Sequence, residues 1–519
     1  MTKKTQVLIV GAGPTGLMMA AQLAAYDIDY IIVDKKKGPT SQSRALGIQA
    51  RTLEIFRQMG VVNDFLKEGT PAKAVNFATG NNLVAHVPLS DLGKGLTEYP
   101  FMLMLEQSRT ERILIKKIHT YAKDINWESE VTLYTQTNTG AQIIVKDSSG
   151  NETTIHADWV IGADGAHSVI RHAVGGHLWG KTYKQSLFVL DCKVDFSFPR
   201  DELTVIRSKH TFAAFFPMKD GLWRIVGEVP ASAIGKDTIA FQDIQEHFAE
   251  RLESEIQLHD PKWISLYKSH QRSVRHFRFG RAFLLGDAAH IHSPVGAQGM
   301  NTGLQDAYNL AWKIALVCQK KASEKLLDTY EAERKPFAQR LVATTDKAFS
   351  LILRKNPLIR DGLRFFLPIF IKAGLTQQVV RNLLFKTVSQ IGITYRATTP
   401  KNATYGDFPE NTPMPGDRLP YITYKDREQQ TISLQELVSQ SKFLVILLQQ
   451  NKKVFSVDSL QSSLVETHRI IFSASTEHIF KQLGIHHEGC YIIRPDMYIA
   501  YRSQDPDIKT IQDYFTKLN

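Results

Sequence analysis

The chain has 519 residues, 43% of them hydrophobic and 22% charged, with 63 Lys and Arg against 52 Asp and Glu. That length holds two or three domains with substantial cores, and the composition is that of an ordinary globular protein, not a disordered or fibrous one. The net charge of +11 comes without a basic stripe or a nucleic-acid motif, so neither nucleic acid nor a membrane is expected as a partner.

The first informative segment is Val7-Leu8-Ile9-Val10, an apolar strand that opens into Gly11-Ala12-Gly13-Pro14-Thr15-Gly16. A helix pattern follows through Leu17, Ala20, Ala21, Leu23 and Ala24, and a second strand, Tyr30 to Val33, ends at Asp34. In this grammar Gly11 permits the tight turn, Gly13 lets backbone approach a pyrophosphate, and Gly16 lets helix and strand pack closely. Asp34 stands about twenty residues past the first glycine, where an acid binds ribose hydroxyls. The strand–turn–helix order also argues against reading this uncharged stretch, with Lys3 and Lys4 before it, as a secretion signal.

Farther along, a helix is expected from Arg51 to Met59, and Gln107-Ser108-Arg109 opens another amphipathic helix. A strand from Asp158 to Ala163 ends at Asp164-Gly165, and Ser168 is placed to cap the helix after it. Residues 181–275 change character: Phe188 to Leu190, Phe212 to Pro217 and Trp223 to Glu228 are β-rich, with a turn at Gly221. They read as an antiparallel sheet inserted between cofactor segments, whose aromatics form either a substrate wall or a plain core. Leu284-Leu285-Gly286-Asp287 then brings a carboxylate to a strand end. A loop holding His290, His292 and Pro294 follows, and Gly299-Met300-Asn301 starts a long helical region. Pro336 marks a kink or restart, residues 399–420 read as a linker, and the last hundred residues form a small α/β unit. The three scattered cysteines, Cys192, Cys318 and Cys490, make no C-x-x-C and fit a reducing, cytoplasmic setting; no metal site is expected.

Gly11/Gly13/Gly16, Asp164-Gly165 and Gly286-Asp287, in that order, resemble the single-component FAD-dependent aromatic hydroxylases, the class A or p-hydroxybenzoate hydroxylase-like flavoprotein monooxygenases. Ser43-Arg44-Ala45 and Gly299-Met300-Asn301 resemble that family's flavin contacts. Pro415-Gly416-Asp417-Arg418 and Arg494-Pro495-Asp496 look like the thioredoxin-like C-terminal domain of its larger members, here without C-x-x-C. The resemblance implies an α/β fold in which a Rossmann-like FAD-binding domain (1–180 and 276–345) carries an inserted β-sheet substrate domain (181–275). A helical connection (346–400) and the thioredoxin-like domain (401–519) follow, the latter with a structural or dimerisation role; oligomeric state stays open.

The resemblance further implies that FAD is held by Gly11, Gly13, Pro14, Thr15, Gly16, Asp34, Arg44, Gln107, Asp164, Gly286, Asp287, Gly299, Met300 and Asn301, and is reduced by NAD(P)H. Through a flavin C4a-hydroperoxide, one atom of O2 would enter a phenolic or polycyclic aromatic substrate, an antibiotic or polyketide among the options. Pro294 and its loop would close the reaction cavity against Phe212, Phe215, Phe216 and Trp223. His290, His292, His210 and Arg224 are the candidates to assist substrate deprotonation, with His292 preferred. Two alternatives stand beside this reading: a flavin dehydrogenase, and a nucleotide-fold binding protein without catalysis.

Overall fold

The computed structural model describes all residues except 42, 44, 292–297, 354–376, 427, 451–461, 506 and 519, and excludes the side chains of 184, 185, 268, 269 and 342–353. Strand β1 (Thr2–Val10) runs into helix α1 (Pro14–Ala25), and β2 (Tyr30–Val33) returns parallel to β1. The apolar end of β1, Val7 to Val10, is buried on both faces, as a central parallel strand requires. Helix α1 gives way to β2 through Asp27 at φ +55°, a left-handed position that a short polar side chain tolerates.

A hairpin, β3 (Ala74–Thr79) and β4 (Asn82–Pro88), leaves this unit, and α2 (Gln107–His119) returns to it. Strand β5 (Glu152–Gly162) lies parallel to β1 on the side opposite β2. Ser168 caps the next helix as expected, its Oγ accepting from the Arg171 N–H at 2.9 Å. Next come β6 (Trp179–Asp195), β7 (Leu203–Arg207), β8 (Phe212–Pro217), β9 (Leu222–Glu228), α3 (Phe241–Arg251) and β10 (Gln257–Ser273). The five strands among them build most of an 8-stranded sheet, to which β3 adds parallel to β7, β4 adds antiparallel to β3, and His290–Ile291 adds at the far edge beside β10. The second sheet therefore draws on chain well before residue 181.

Strand β11 (Ala282–Leu284) re-enters the first sheet beside β5, giving the order β11-β5-β1-β2 at its parallel centre. The chain then forms α4 (Gly299–Cys318) and α5 (Asp328–Leu353). Helix α5 contains Pro336 and continues through it instead of restarting. A mid-helix proline costs about 3 kcal/mol, and buried ion pairs at Glu333 and Arg334, just before it, hold the helix in place.

The C-terminal unit contains β12 (Phe443–Gln449), β13 (Val465–Ile471), β14 (Gly489–Ile493) and β15 (Ile499–Ser503). Strand β12 is parallel to β13 and antiparallel to β14, and β15 follows on β14, which is a thioredoxin-like order. Residues 399–420 are not a free linker: Thr404–Tyr405 adds to the edge of β15, and Arg502 donates to Thr412 and Pro413 at 2.9 Å. No helix among the described residues is long and apolar enough to cross a membrane.

Candidate active site

Three glycine-containing turns, far apart in sequence, touch at the carboxyl end of the parallel strands. Gly11 has φ +103°, and a Cβ on it would lie 2.8 Å from Cα of Asp164. A Cβ on Gly16 would run into the Gly11 carbonyl oxygen, and one on Gly286 (φ +56°) would lie 2.7 Å from Thr15 Oγ1. Gly303, inside α4, would also strike Thr15 Oγ1 if it carried a side chain. These glycines permit close approach of α1, the Gly286 turn and α4. Gly303 was not singled out from the sequence, although a glycine in a helix interior is costly enough to ask for a packing reason.

Gly13 and Gly299 have a different role. A Cβ on either would meet nothing within 4 Å among the described residues, so their packing requires neither glycine. They stand at the N-termini of α1 and α4, and neither helix has a capping side chain or an acid in its first turn. First-turn N–H groups have no partner inside the helix and carry partial positive charge. Two helix starts without a side-chain cap therefore lie at the same junction, which suits an extended anionic ligand.

The polar residues around this junction are well defined. Asp34 is buried, its Oδ2 accepting from the Ala12 N–H at 2.6 Å and its Oδ1 from the Lys36 N–H at 2.8 Å. Asp164 accepts through Oδ2 from the N–H groups of Val169 (2.7 Å) and Ile170 (3.3 Å). Its Oδ1 is buried without a hydrogen-bond partner, and burial pushes its carboxyl up. Gln107 donates to Glu111 Oε1 at 2.9 Å, and its N–H donates to the Ala45 carbonyl at 3.0 Å. Asn301 clamps the loop before the helix Ala50–Gln58: its Oδ1 accepts from the Gln49 N–H and its Nδ2 donates to the Gly47 carbonyl, both at 2.9 Å. Gly299 and Met300 are half-buried, and Asp287 is exposed. Arg44, His292 and Pro294 lie outside the described residues.

His290 sits in the core. It is 1% exposed, and its Nε2 lies 2.7 Å from Asp306 Oδ2. The same carboxylate oxygen accepts from the Gly286 N–H at 3.1 Å, and Oδ1 accepts from Arg334 Nε at 2.8 Å. Burial opposes the charge on Asp306, yet Arg334 and His290 beside it hold its carboxyl below the usual aspartate range. This acid, which the sequence reading did not pick out, supports the Gly286-Asp287 turn from behind.

The four aromatics expected to form one wall are divided by strand alternation. Phe215 and Trp223 are buried on the α3 side of the sheet, in one cluster with Phe188 and Phe248, and Phe196 lies 5.1 Å and 4.9 Å from their rings. They are core residues, a correction to the expectation that they contact substrate. Phe212 and Phe216 take the opposite face. Phe216 joins Leu46, Met102 and Met104 of the first unit, and Phe212 joins Leu187, Tyr183 and Val226.

Arg224 stands across from Phe216 and Asp191 on that second face. Its Nε and Nη2 both donate to Asp191 at 2.7 Å, and its guanidinium lies 5.4 Å from the Trp263 ring centre. Its Nη1 is buried and makes no hydrogen bond.

Residues 4–345 match the family profile of the FAD binding domain, and residues 412–518 match that of the aromatic-ring hydroxylase C-terminal region. The chain belongs to the FAD-dependent aromatic-ring hydroxylases. A 6-methylpretetramide 4-monooxygenase of Streptomyces rimosus is 30% identical over 98% of this chain and 92% of its own. A rifampicin monooxygenase of Rhodococcus hoagii is 34% identical over 67% of this chain and 71% of its own. Among solved structures, the OxyS anhydrotetracycline hydroxylase from Streptomyces rimosus covers 99% of both chains with a TM-score of 0.79 and 25% identity. The hydroxylase is thus an FAD-dependent monooxygenase, and its residues fit the cofactor. The space over Gly13 and Gly299, the uncapped starts of α1 and α4, and the unpartnered Asp164 Oδ1 are features that the described residues do not use among themselves.

Proposed function

We propose that this hydroxylase inserts one atom of O2 into a phenolic or polycyclic aromatic substrate, of the kind named for its relatives, with NAD(P)H as reductant in a cytoplasmic setting. The observation that carries the substrate class is the sheet face that sets Phe212, Phe216 and Val226 beside the Arg224–Asp191 pair; Phe216 packs against Leu46, Met102 and Met104 of the cofactor unit, and Phe212 and Val226 pack with Leu187. Bound FAD supplies the electron transfer and oxygen activation, which side chains alone do not provide.

The chain's own residues bind, orient and exclude water. The N–H groups at the start of α1, beside Gly13, Pro14 and Thr15, take the pyrophosphate, with Arg44 contributing charge. Asp34 holds the Gly-rich turn and the ribose end, Gln107 the adenine end, and Asp164 lends its unpartnered Oδ1. Asp287 holds the ribityl chain, and the N–H groups of Gly299, Met300 and Asn301 face the ring system. Residues 1–180 and 276–345 serve mainly the cofactor, and 181–275 the substrate. Phe212 and Phe216 press the substrate against the loop of Pro294 and keep water out, which protects a reactive oxygen species from unproductive decay. Arg224, neutralised by Asp191, donates through Nη1 to a substrate oxygen, and His292 assists removal of the phenolic proton.

The test is the absorption spectrum of the purified protein, followed by NADH and NADPH oxidation with phenols and polycyclic aromatics. Bound flavin with substrate-stimulated oxidation, matched by oxygen uptake and hydroxylated product, is the expected result. Oxidation without oxygen dependence would make it a dehydrogenase, and a colourless protein that takes up no FAD would overturn the reading.

A further inference from the structure

The C-terminal unit reaches the back of the flavin site through a continuous set of buried charges. Its turn after β14 presents Arg494, whose Nη1 and Nη2 donate to the two oxygens of Glu333 on α5 at 2.6 and 2.9 Å. Asp496 in the same turn braces Arg494, accepting from its Nε at 2.9 Å. Glu333 also accepts from Lys313 (2.8 Å) and Asn309 (2.7 Å), both on α4. The next residue of α5, Arg334, donates to Asp306 on α4, to the Tyr395 hydroxyl at 3.1 Å and to the Thr302 carbonyl at 3.2 Å. Tyr395 stacks on Tyr498 of the C-terminal unit, with ring centres 4.2 Å apart. Asp306 in turn carries the Gly286 N–H and His290.

Two adjacent residues of α5 therefore join two separate parts of the protein. Glu333 is held by the C-terminal turn, and Arg334 holds the acid from which the Gly286-Asp287 turn hangs. Asn309 lies one helical turn after Asp306, so the same two stretches of α4 and α5 meet twice. Such pairs have few alternative arrangements, because breaking one partner of a buried pair leaves an uncompensated charge.

We infer that Arg494 and Asp496 are positioning residues for the flavin site, fixing the Gly286-Asp287 turn through Glu333, Arg334 and Asp306. The C-terminal unit is then part of the cofactor site's scaffold, a role separate from thiol chemistry and from dimerisation. The inference rests on the FAD assignment and is independent of the substrate class.

The test uses the full chain with Arg494→Lys, which keeps the charge and gives up the two-pronged contact, and Asp496→Asn, which loosens Arg494 without touching Glu333. Hydrogen exchange is followed in the FAD-free protein, and FAD is titrated into it. The expected result is exchange at least fivefold faster in the peptide 284–291, no change in β1, and FAD binding weakened about tenfold. Exchange that rises equally throughout the chain would mark a merely structural role and overturn the inference. So would an unchanged 284–291 peptide, or local loosening with FAD affinity within twofold of the parent. Should Arg494→Lys not fold, Asp496→Asn decides by the same criteria.

Discussion

Gly13 and Gly16 are three residues apart in one motif, yet their substitution by alanine should fail in opposite ways. A methyl group on Gly16 would occupy the position of the Gly11 carbonyl oxygen, which is backbone and has no rotamer to escape into. The turn and α1 would have to separate, at a cost of about 1–3 kcal/mol or more for overpacking. A methyl group on Gly13 meets nothing within 4 Å, and its φ of −80° is open to any residue. Alanine is the poorer N-cap by about 1 kcal/mol, partly offset by ~0.4–1 kcal/mol from the stiffer unfolded chain. Gly13→Ala should therefore shift the melting temperature of the FAD-free protein by no more than about 2–4 °C. It should weaken FAD at least about tenfold, or about 1.4 kcal/mol, because the methyl fills the approach to the helix start. Thermal melts of FAD-free protein and a fluorescence titration with FAD separate the two effects. Parent-like FAD affinity in Gly13→Ala would refute the placement of the pyrophosphate, and an unchanged melt in Gly16→Ala would refute the packing argument.

Phe215→Ala should cost about 3–5 kcal/mol of stability, as expected for a buried aromatic, whereas Phe216→Ala should leave the melt nearer the parent and lower the ratio of product formed to NAD(P)H consumed. A coupling ratio that falls equally in both would undo the assignment of sheet faces. Replacing Arg224 by Met strands the Asp191 carboxylate, and a loss of about 3–5 kcal/mol in chemical denaturation is expected; a double variant with Asp191→Leu should recover part of it. Burial lowers the Lys313 amine to about 8. Between that value and the ordinary lysine range the unfolded chain holds more protons than the folded one, so stability from this group rises with pH. The parent should accordingly gain on Lys313→Met as pH goes from 7.5 to 10, and parallel denaturation midpoints would contradict this. Glu333 works in the other direction: burial opposes its charge, but Arg494 and Lys313 hold its carboxyl well below the usual range. Its contribution is complete above the ordinary glutamate pKa and fades as pH falls below it. The Glu333→Gln protein should therefore lose less stability than the parent between pH 5 and pH 3.

The cofactor junction was legible in the sequence because its parts are local. A strand, a glycine turn and a helix start occupy adjacent positions, so Gly11, Gly16 and Gly286 could be assigned their turns before any packing was known. The substrate face was less legible because both faces of β8 carry apolar residues, so although Phe215 is buried and Phe216 only half-buried, no polar alternation in the sequence told them apart. The hairpin β3–β4 was invisible for another reason: pairing with β7 joins residues more than a hundred positions apart, and no spacing rule reports it. Asp306, Glu333 and Arg334 look like the polar side of ordinary helices in sequence. Their importance comes from α4 being buried from Asn301 to Leu316 and from Glu333 and Arg334 lying on the buried side of α5, which turns what reads as a solvated face into a buried one.

That burial explains why charged residues occupy a place where apolar ones would pack at lower cost. A hydrophobic contact behind the Gly286 turn would tolerate sliding, since its energy depends on area and not on direction. The Asp306 carboxylate accepts from the Gly286 N–H, Arg334 and His290 along fixed directions, and an unmet bond there carries the full desolvation penalty. The turn is thereby held in one position before any ligand arrives. Preorganisation of this kind lowers the cost of binding, and it acts at the junction itself, because the Gly286 turn packs against Thr15 at the start of α1. The rigid charges behind the turn fix the geometry in which it meets the start of α1, where no side chain caps the helix, and the anionic cofactor proposed for this junction would gain from a site already in place.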